Sequence, residues 1–96
     1  MALREKVVED YLVNEVKKTG GRAYKFTSSS YRSIPDRMCV FPGGHIIFVE
    51  VKAPGRKPTD RQWKEIQRLR NMGCTVLVID SRPKVDKLIA WYRRQV

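Results

Sequence analysis

Residues 35–52 read Pro35-Asp36-Arg37-Met38-Cys39-Val40-Phe41-Pro42-Gly43-Gly44-His45-Ile46-Ile47-Phe48-Val49-Glu50-Val51-Lys52. Two β-rich apolar runs flank a Pro-Gly-Gly turn, so the stretch predicts a hairpin with strands over 36–41 and 45–52. Side chains alternate along a strand. Glu50 and Lys52 therefore project from one face, and Ile47, Val49 and Val51 from the other. A short hairpin also brings Asp36, at the start of the first strand, beside Glu50, near the end of the second. Two carboxylates and an ammonium thus meet at one end of a sheet, in positions that fold-building alone would fill with apolar residues.

Working outward toward the N-terminus, Leu3, Val7, Val8, Tyr11, Leu12 and Val16 recur at three- and four-residue spacing. They predict an amphipathic helix over 3–18. Gly20-Gly21 stops it, with Lys17 and Lys18 in the dipole-favoured last turn. A short strand follows over 22–27, then a polar loop over 28–35 with three consecutive serines. On the C-terminal side, 53–58 is a basic turn. Thr59-Asp60-Arg61-Gln62 has the capping-box pattern and opens a helix running to about Met72, ended by Gly73. Residues 74–80 predict a strand apolar enough to be buried on both faces. Ser81 caps a last helix, with Pro83 near its start, that runs to about Arg94. The order αβββαβα defines an α/β class: a mixed sheet flanked by helices. Its first part is antiparallel, and the step from Val49 through Val78 predicts a right-handed parallel crossover.

The chain has 96 residues and a net charge of +10. That length fits one domain, 1–96, and excludes two-lobed or full-barrel enzymes. Residues 1–50 carry 8 basic and 6 acidic side chains, whereas 51–96 carry 12 and 4. Such a basic excess points to a polyanion partner, nucleic acid above all. No apolar run approaches the roughly 18–20 residues that span a bilayer, so no membrane partner is expected. The charged start, 1–9, does not read as a secretory signal. Cys39 and Cys74 sit inside apolar runs and read as reduced thiols, which fits a cytoplasmic setting. A single histidine argues against zinc.

Phosphodiester hydrolysis calls for a set such as Asp36, Glu50 and Lys52. The substrate is anionic and repels hydroxide. A divalent cation held by carboxylates neutralises the phosphate and lowers the pKa of its water. Mg²⁺ suits hard oxygen ligands, and a nearby lysine stabilises charge developing in the transition state. Two bare carboxylates this close resist ionising together, so at least one is expected to have a raised pKa. A third acid is available from the first helix. Glu9 lies at the edge of the apolar stripe, and Glu5 lies one turn earlier on nearly the same face; the pattern favours Glu9.

Pro35-Asp36 followed by Glu50-Val51-Lys52 resembles the PD-(D/E)XK nuclease signature. The wider context resembles the VRR-NUC branch, the virus-type replication and repair nuclease domain. The resemblance runs through Val8-Glu9-Asp10-Tyr11-Leu12, Gly20-Gly21, Tyr24-Lys25-Phe26, Ile34-Pro35-Asp36-Arg37, Phe41-Pro42-Gly43-Gly44, Phe48 to Gly55, Gln62, Gly73 and Val76 to Ser81. It implies a restriction-endonuclease-like fold and Mg²⁺- or Mn²⁺-dependent cleavage of DNA. It further implies Glu9, Asp36, Glu50 and the Val51 carbonyl as metal ligands, and Lys52 as the catalytic lysine. Gln62 matches a recurrent glutamine in the same site, and Lys25 a recurrent basic position beside it. Members this small resemble phage or bacterial homodimers that nick branched DNA such as Holliday junctions; larger Fanconi-associated relatives act on flaps. Many members carry Gly two residues before the Pro-Asp pair, where this chain has Ser33.

Plainer readings stand beside these. Glu50 and Lys52 also fit a strand-end ion pair, and Gln62 a helix cap. Lys25 and His45 fit surface positions. Trp63, Trp91 and Tyr92 fit core or dimer contacts rather than stacking platforms. Tyr31 and Arg32 in the serine loop are better placed to touch DNA. Arg56, Lys57, Arg61, Lys64 and Arg68 form a candidate phosphate-contacting strip. A homodimer matches a substrate with two symmetric scissile strands. A flap or single-strand nuclease, and a silent nucleic-acid-binding module, are the competing expectations.

Overall fold

The computed structural model describes residues 2–96, with side chains from residue 4, so Leu3 of the predicted stripe lies outside the described side chains. The elements follow in the predicted order: α1 (Ala2–Lys18), β1 (Arg22–Lys25), β2 (Arg37–Phe41), β3 (His45–Val51), α2 (Asp60–Asn71), β4 (Val76–Ile79) and α3 (Arg82–Arg94). They build one four-stranded sheet in the order β1-β2-β3-β4. The β1–β2 and β2–β3 pairs are antiparallel, and β3–β4 is parallel across the α2 crossover.

Local chemistry sets the element ends. At the hairpin the Gly44 N–H closes the turn on the Phe41 carbonyl at 3.1 Å, and Gly43 and Gly44, with φ of +94° and +83°, supply the positive φ that this three-residue loop needs at its last two positions. Thr59 caps α2 in a complete capping box: its Oγ1 accepts from the Gln62 N–H at 3.2 Å, and Gln62 Oε1 accepts from the Thr59 N–H at 2.9 Å. Ser81 caps α3 through the Lys84 N–H.

The alternation of β3 divides the molecule into two layers. Ile47, Val49 and Val51 join Cys39, Phe41 and Ile79 on one face, against Val8, Leu12 and Val16 of α1 and Val85, Leu88 and Tyr92 of α3. Burying these chains is the main source of stability, at about 1.5–3 kcal/mol for each large apolar residue. Tyr92 also stacks on Phe41 at 4.5 Å and donates its hydroxyl to the Pro42 carbonyl, tying α3 to the hairpin turn. On the opposite face, α2 packs through buried Ile66, and the Arg70 guanidinium bonds the Val76 carbonyl at 2.7 Å.

Two expectations need correction. The strand at 74–80 is buried on both faces only in part, with one buried and one partly exposed residue on each. β4 lies at the edge of the sheet, so Leu77 and Val78 stay partly exposed while Val76 and Ile79 are buried. Trp63 is not a core residue, being 40 % exposed on α2. Both cysteines are free, with Cys39 buried and Cys74 partly so; burial pushes the Cys39 thiol up to about 12.

Candidate active site

The hairpin register carries the site. Arg37 pairs with Val49 in β2–β3, which sets Asp36 opposite Glu50 at the next position of the ladder. Asp36 is fixed there by two bonds. Its carbonyl accepts from the Phe26 N–H at 2.9 Å, and its Oδ2 accepts from the Val51 N–H at 2.8 Å. Glu50 is 1 % exposed on the face that also carries Phe48. Two residues on, Lys52 returns to the same face, with Nζ 3.3 Å from Glu50 Oε2. The Lys52 N–H is held by the Ile79 carbonyl at 2.9 Å, so the end of β4 braces this end of β3.

The electrostatics follow from this packing. Burial, then the charge of Asp36, raises the Glu50 carboxyl from 4.5 to about 7, against the opposing pull of Lys52. Burial also raises Asp36, with Glu9 adding to the rise; the Val51 N–H, Lys52 and Arg37 pull the other way. A buried carboxylate pair with one ammonium is short of positive charge.

Glu9 approaches from α1, but its Oε2 lies 3.1 Å from Arg37 Nε in an ion pair. Arg37 also donates to the Ala23 carbonyl at 3.2 Å. Glu5, one turn earlier on α1, is exposed yet close enough to raise Glu50 further. Among the described residues, no group of three or more His, Cys, Asp or Glu side chains is gathered closely enough to hold a metal by itself. The geometry thus joins Asp36, Glu50 and Lys52, and sets Glu9 beside them on an arginine. Val51 contributes its N–H to Asp36 and its side chain to the core.

The other predicted positions spread around this centre. The Gln62 side-chain oxygen serves the cap, which leaves its amide N–H groups for another acceptor. Lys25 ends β1, opposite Arg37 in the register, and is exposed. Tyr31 and Arg32 are exposed in the serine loop, and Arg56 and Lys57 in the turn after Lys52. Arg61, Lys64 and Arg68 form one exposed stripe on α2, turned away from buried Ile66.

Sequence reasoning missed two contributors, Arg37 and Asp80, and noted a third, Ser33, only as a departure from the family pattern. Arg37 is a charged residue at an inward-facing strand position, and that breach of alternation was its signal. Asp80 accepts from the Gly55 N–H at 3.2 Å and pairs with Lys84 at 2.9 Å, tying the turn after Lys52 to β4. Ser33 has φ +62°, the left-handed region that disfavours a side chain. This position precedes Pro35-Asp36 and sets the approach to the site.

A half-buried Asp facing a buried Glu with a lysine two residues on, at one end of a mixed sheet between helical layers, defines the PD-(D/E)XK class of nucleases. Over 80 residues the chain is 52 % identical to "Putative nuclease p44" of Acyrthosiphon pisum secondary endosymbiont phage 1, covering 83 % of this chain and 86 % of that protein. A solved structure of a VRR_NUC domain matches with a TM-score of 0.87 and 36 % identity, over 93 % of this chain and 97 % of the other. No family model matches the sequence. The chain belongs to the VRR-NUC family and is a nuclease domain.

Proposed function

We propose that this nuclease is a Mg²⁺- or Mn²⁺-dependent DNA endonuclease that nicks branched DNA, such as a Holliday junction, as a symmetric homodimer. The observation that carries the reading is the convergence of Asp36, Glu50 and Lys52 on one face at the end of the sheet. The donor set fits a hard divalent cation. Two oxygen-donor carboxylates face each other, Glu50 buried and Asp36 half-buried, and burial and their mutual charge raise the Glu50 carboxyl as burial raises that of Asp36. Asp36, Glu50 and the Val51 carbonyl would hold the ion, with Glu9 joining on exchange from Arg37. Bound there, the cation neutralises the substrate phosphate and acidifies water.

The chain's own groups do the rest. Lys52 orients the attacking water and stabilises negative charge growing on the phosphate oxygens. The Val51 N–H holds Asp36 in place throughout. Gln62 offers its amide N–H groups to the phosphate while capping α2. Lys25, Arg32, Arg56, Lys57, Arg61, Lys64 and Arg68 bind the DNA backbone without reading sequence.

The dimer reading rests on β4. This edge strand lies beside a groove of about 420 Å³ lined by Ile47, Leu77, Ile79, Leu88 and Trp91. The strand itself carries no proline or charged residue between Val76 and Ile79, the Arg70 guanidinium takes the Val76 carbonyl, and Lys84 and Lys87 rim the groove, so the edge open to a second copy is that at Val78. A second copy pairing its own β4 antiparallel closes both edges about a two-fold axis. The test is a cleavage panel of four-way junction, flap, single strand and linear duplex, run with sedimentation analysis. Paired nicks on the junction by a dimeric species are expected. A monomer that cuts flaps or single strands best would replace the branched-DNA reading with the flap-nuclease alternative.

A further inference from the structure

The serine loop and α2 enclose a second groove, of about 490 Å³, lined by Phe26, Ser28, Tyr31, Glu65, Arg68 and Leu69 among others. One of its lining residues, Phe26, touches the strands that carry the carboxylate site in two ways. The Phe26 N–H bonds the Asp36 carbonyl, and the Phe26 ring lies 5.3 Å from that of Phe48, which shares a face with Glu50 one side-chain position away. Two strand residues span about 6.6 Å, and Phe26 lies one ring contact beyond Phe48, so the groove floor begins roughly one to two nucleotides from the carboxylates.

Its wall is built rather than incidental. Ser28 Oγ accepts from the N–H groups of Ser30 and Tyr31 at 3.2 and 3.1 Å, which fixes the loop where it presents Tyr31. Tyr31 itself is 66 % exposed, a large ring left uncovered over the groove mouth. Arg68 lines the same groove and continues the Arg61–Lys64 stripe, while Glu65 supplies a carboxylate within it.

We propose that this groove is a subsite for one unpaired nucleobase next to the scissile phosphate, with Tyr31 stacking on the base, Arg68 meeting its phosphate and Glu65 accepting a base N–H. A flat π-face, a cation and an acceptor beside a phosphodiesterase centre match a nucleotide, and a stacked interior base pair presents no free face to Tyr31. The inference rests on the DNA-endonuclease reading above. At a junction such a base is one opened from the stack at the branch point, so the subsite adds recognition of an unpaired nucleotide to the backbone contacts with the paired arms.

The test uses the full chain and duplexes with a 5′ or 3′ single-stranded tail, each compared with copies abasic at one of the first three unpaired positions. Affinity is read by fluorescence anisotropy in Ca²⁺. Base stacking on an aromatic is worth about 1–3 kcal/mol, so the wild type is expected to bind the complete tail about 5- to 150-fold more tightly than the copy abasic at the critical position. Tyr31→Ala should erase that difference and Tyr31→Phe should keep it, with circular dichroism confirming both folds. A wild type indifferent to every abasic position, or a Tyr31→Ala variant that keeps the preference, overturns the subsite. Cleavage of the complete tailed duplex in Mg²⁺ or Mn²⁺ is read in parallel. Cutting without base preference sinks the subsite alone, and base preference without cutting in any metal sinks the endonuclease reading alone.

Discussion

Glu50→Gln should make the metal-free protein more stable at pH 8. Glu50 is 1 % exposed, and its carboxyl is raised from 4.5 to about 7, first by burial and then by Asp36. At about 1.4 kcal/mol per pH unit, that rise sets a ceiling of about 3 kcal/mol on the cost of keeping Glu50 ionised in the fold. The attraction of Lys52 is already contained in that net rise, so a gain of about 2–3 kcal/mol is expected from glutamine. The sign depends on pH. Below about pH 4.5, Glu50 is protonated in both folded and unfolded chains, and the substitution gains nothing from charge. Between about 4.5 and 7 the unfolded chain releases its proton while the folded one keeps it, so wild-type stability falls as pH rises. Above about 7 the cost is constant. Thermal unfolding of both proteins in EDTA, followed by circular dichroism from pH 4 to 8, should show the variant about 10 °C higher at pH 8 and the gap closing by pH 4. A variant less stable than wild type at pH 8, or a gap independent of pH, would refute the reasoning. Glu50 would then be an ordinary ion-pair partner of Lys52.

Mg²⁺ should raise the melting temperature at pH 8 and do so progressively less below about pH 7, because protons compete with the cation for Glu50; calorimetric titration at three pH values checks this. Arg37→Ala should cost about 1–2 kcal/mol by stranding half-buried Glu9, and a double-mutant cycle with Glu9→Gln should return a favourable coupling in urea unfolding. Ser33→Gly should stabilise the chain by about 0.5 kcal/mol, since relief of the left-handed backbone slightly exceeds the entropy of an added glycine, and Ser33→Val should destabilise it; thermal melts decide both.

The hairpin was legible because periodicity, turn chemistry and the misplaced charges of Asp36, Glu50 and Lys52 all fell within one short run. The caps at Thr59 and Ser81 were legible because their hydroxyls act within three residues of themselves. What escaped depends on partners distant in sequence. The ion pair of Arg37 with Glu9 joins residues 28 apart, and the Asp80 bond to Gly55 spans 25, so the breach of alternation marks Arg37 but no local pattern names either partner. The edge position of β4 was hidden for a related reason. An apolar run such as Val76–Ile79 reads the same whether a strand or solvent lies beside it, and only the sheet order tells them apart. Tyr31 could be named from sequence as exposed and near DNA, but the groove it overhangs exists only once α2 packs beside the loop.

The most direct test of the site is nicking of an end-labelled four-way junction by the wild type, Lys52→Ala and Asp36→Asn, with Mg²⁺, with Mn²⁺ and with EDTA. Asp36, Glu50 and Lys52 acting as one metal-dependent phosphodiesterase predict cleavage by the wild type in either metal, none in EDTA, and a loss of at least about 100-fold in both variants. Cleavage that persists in EDTA, or that survives either substitution undiminished, would contradict the assignment.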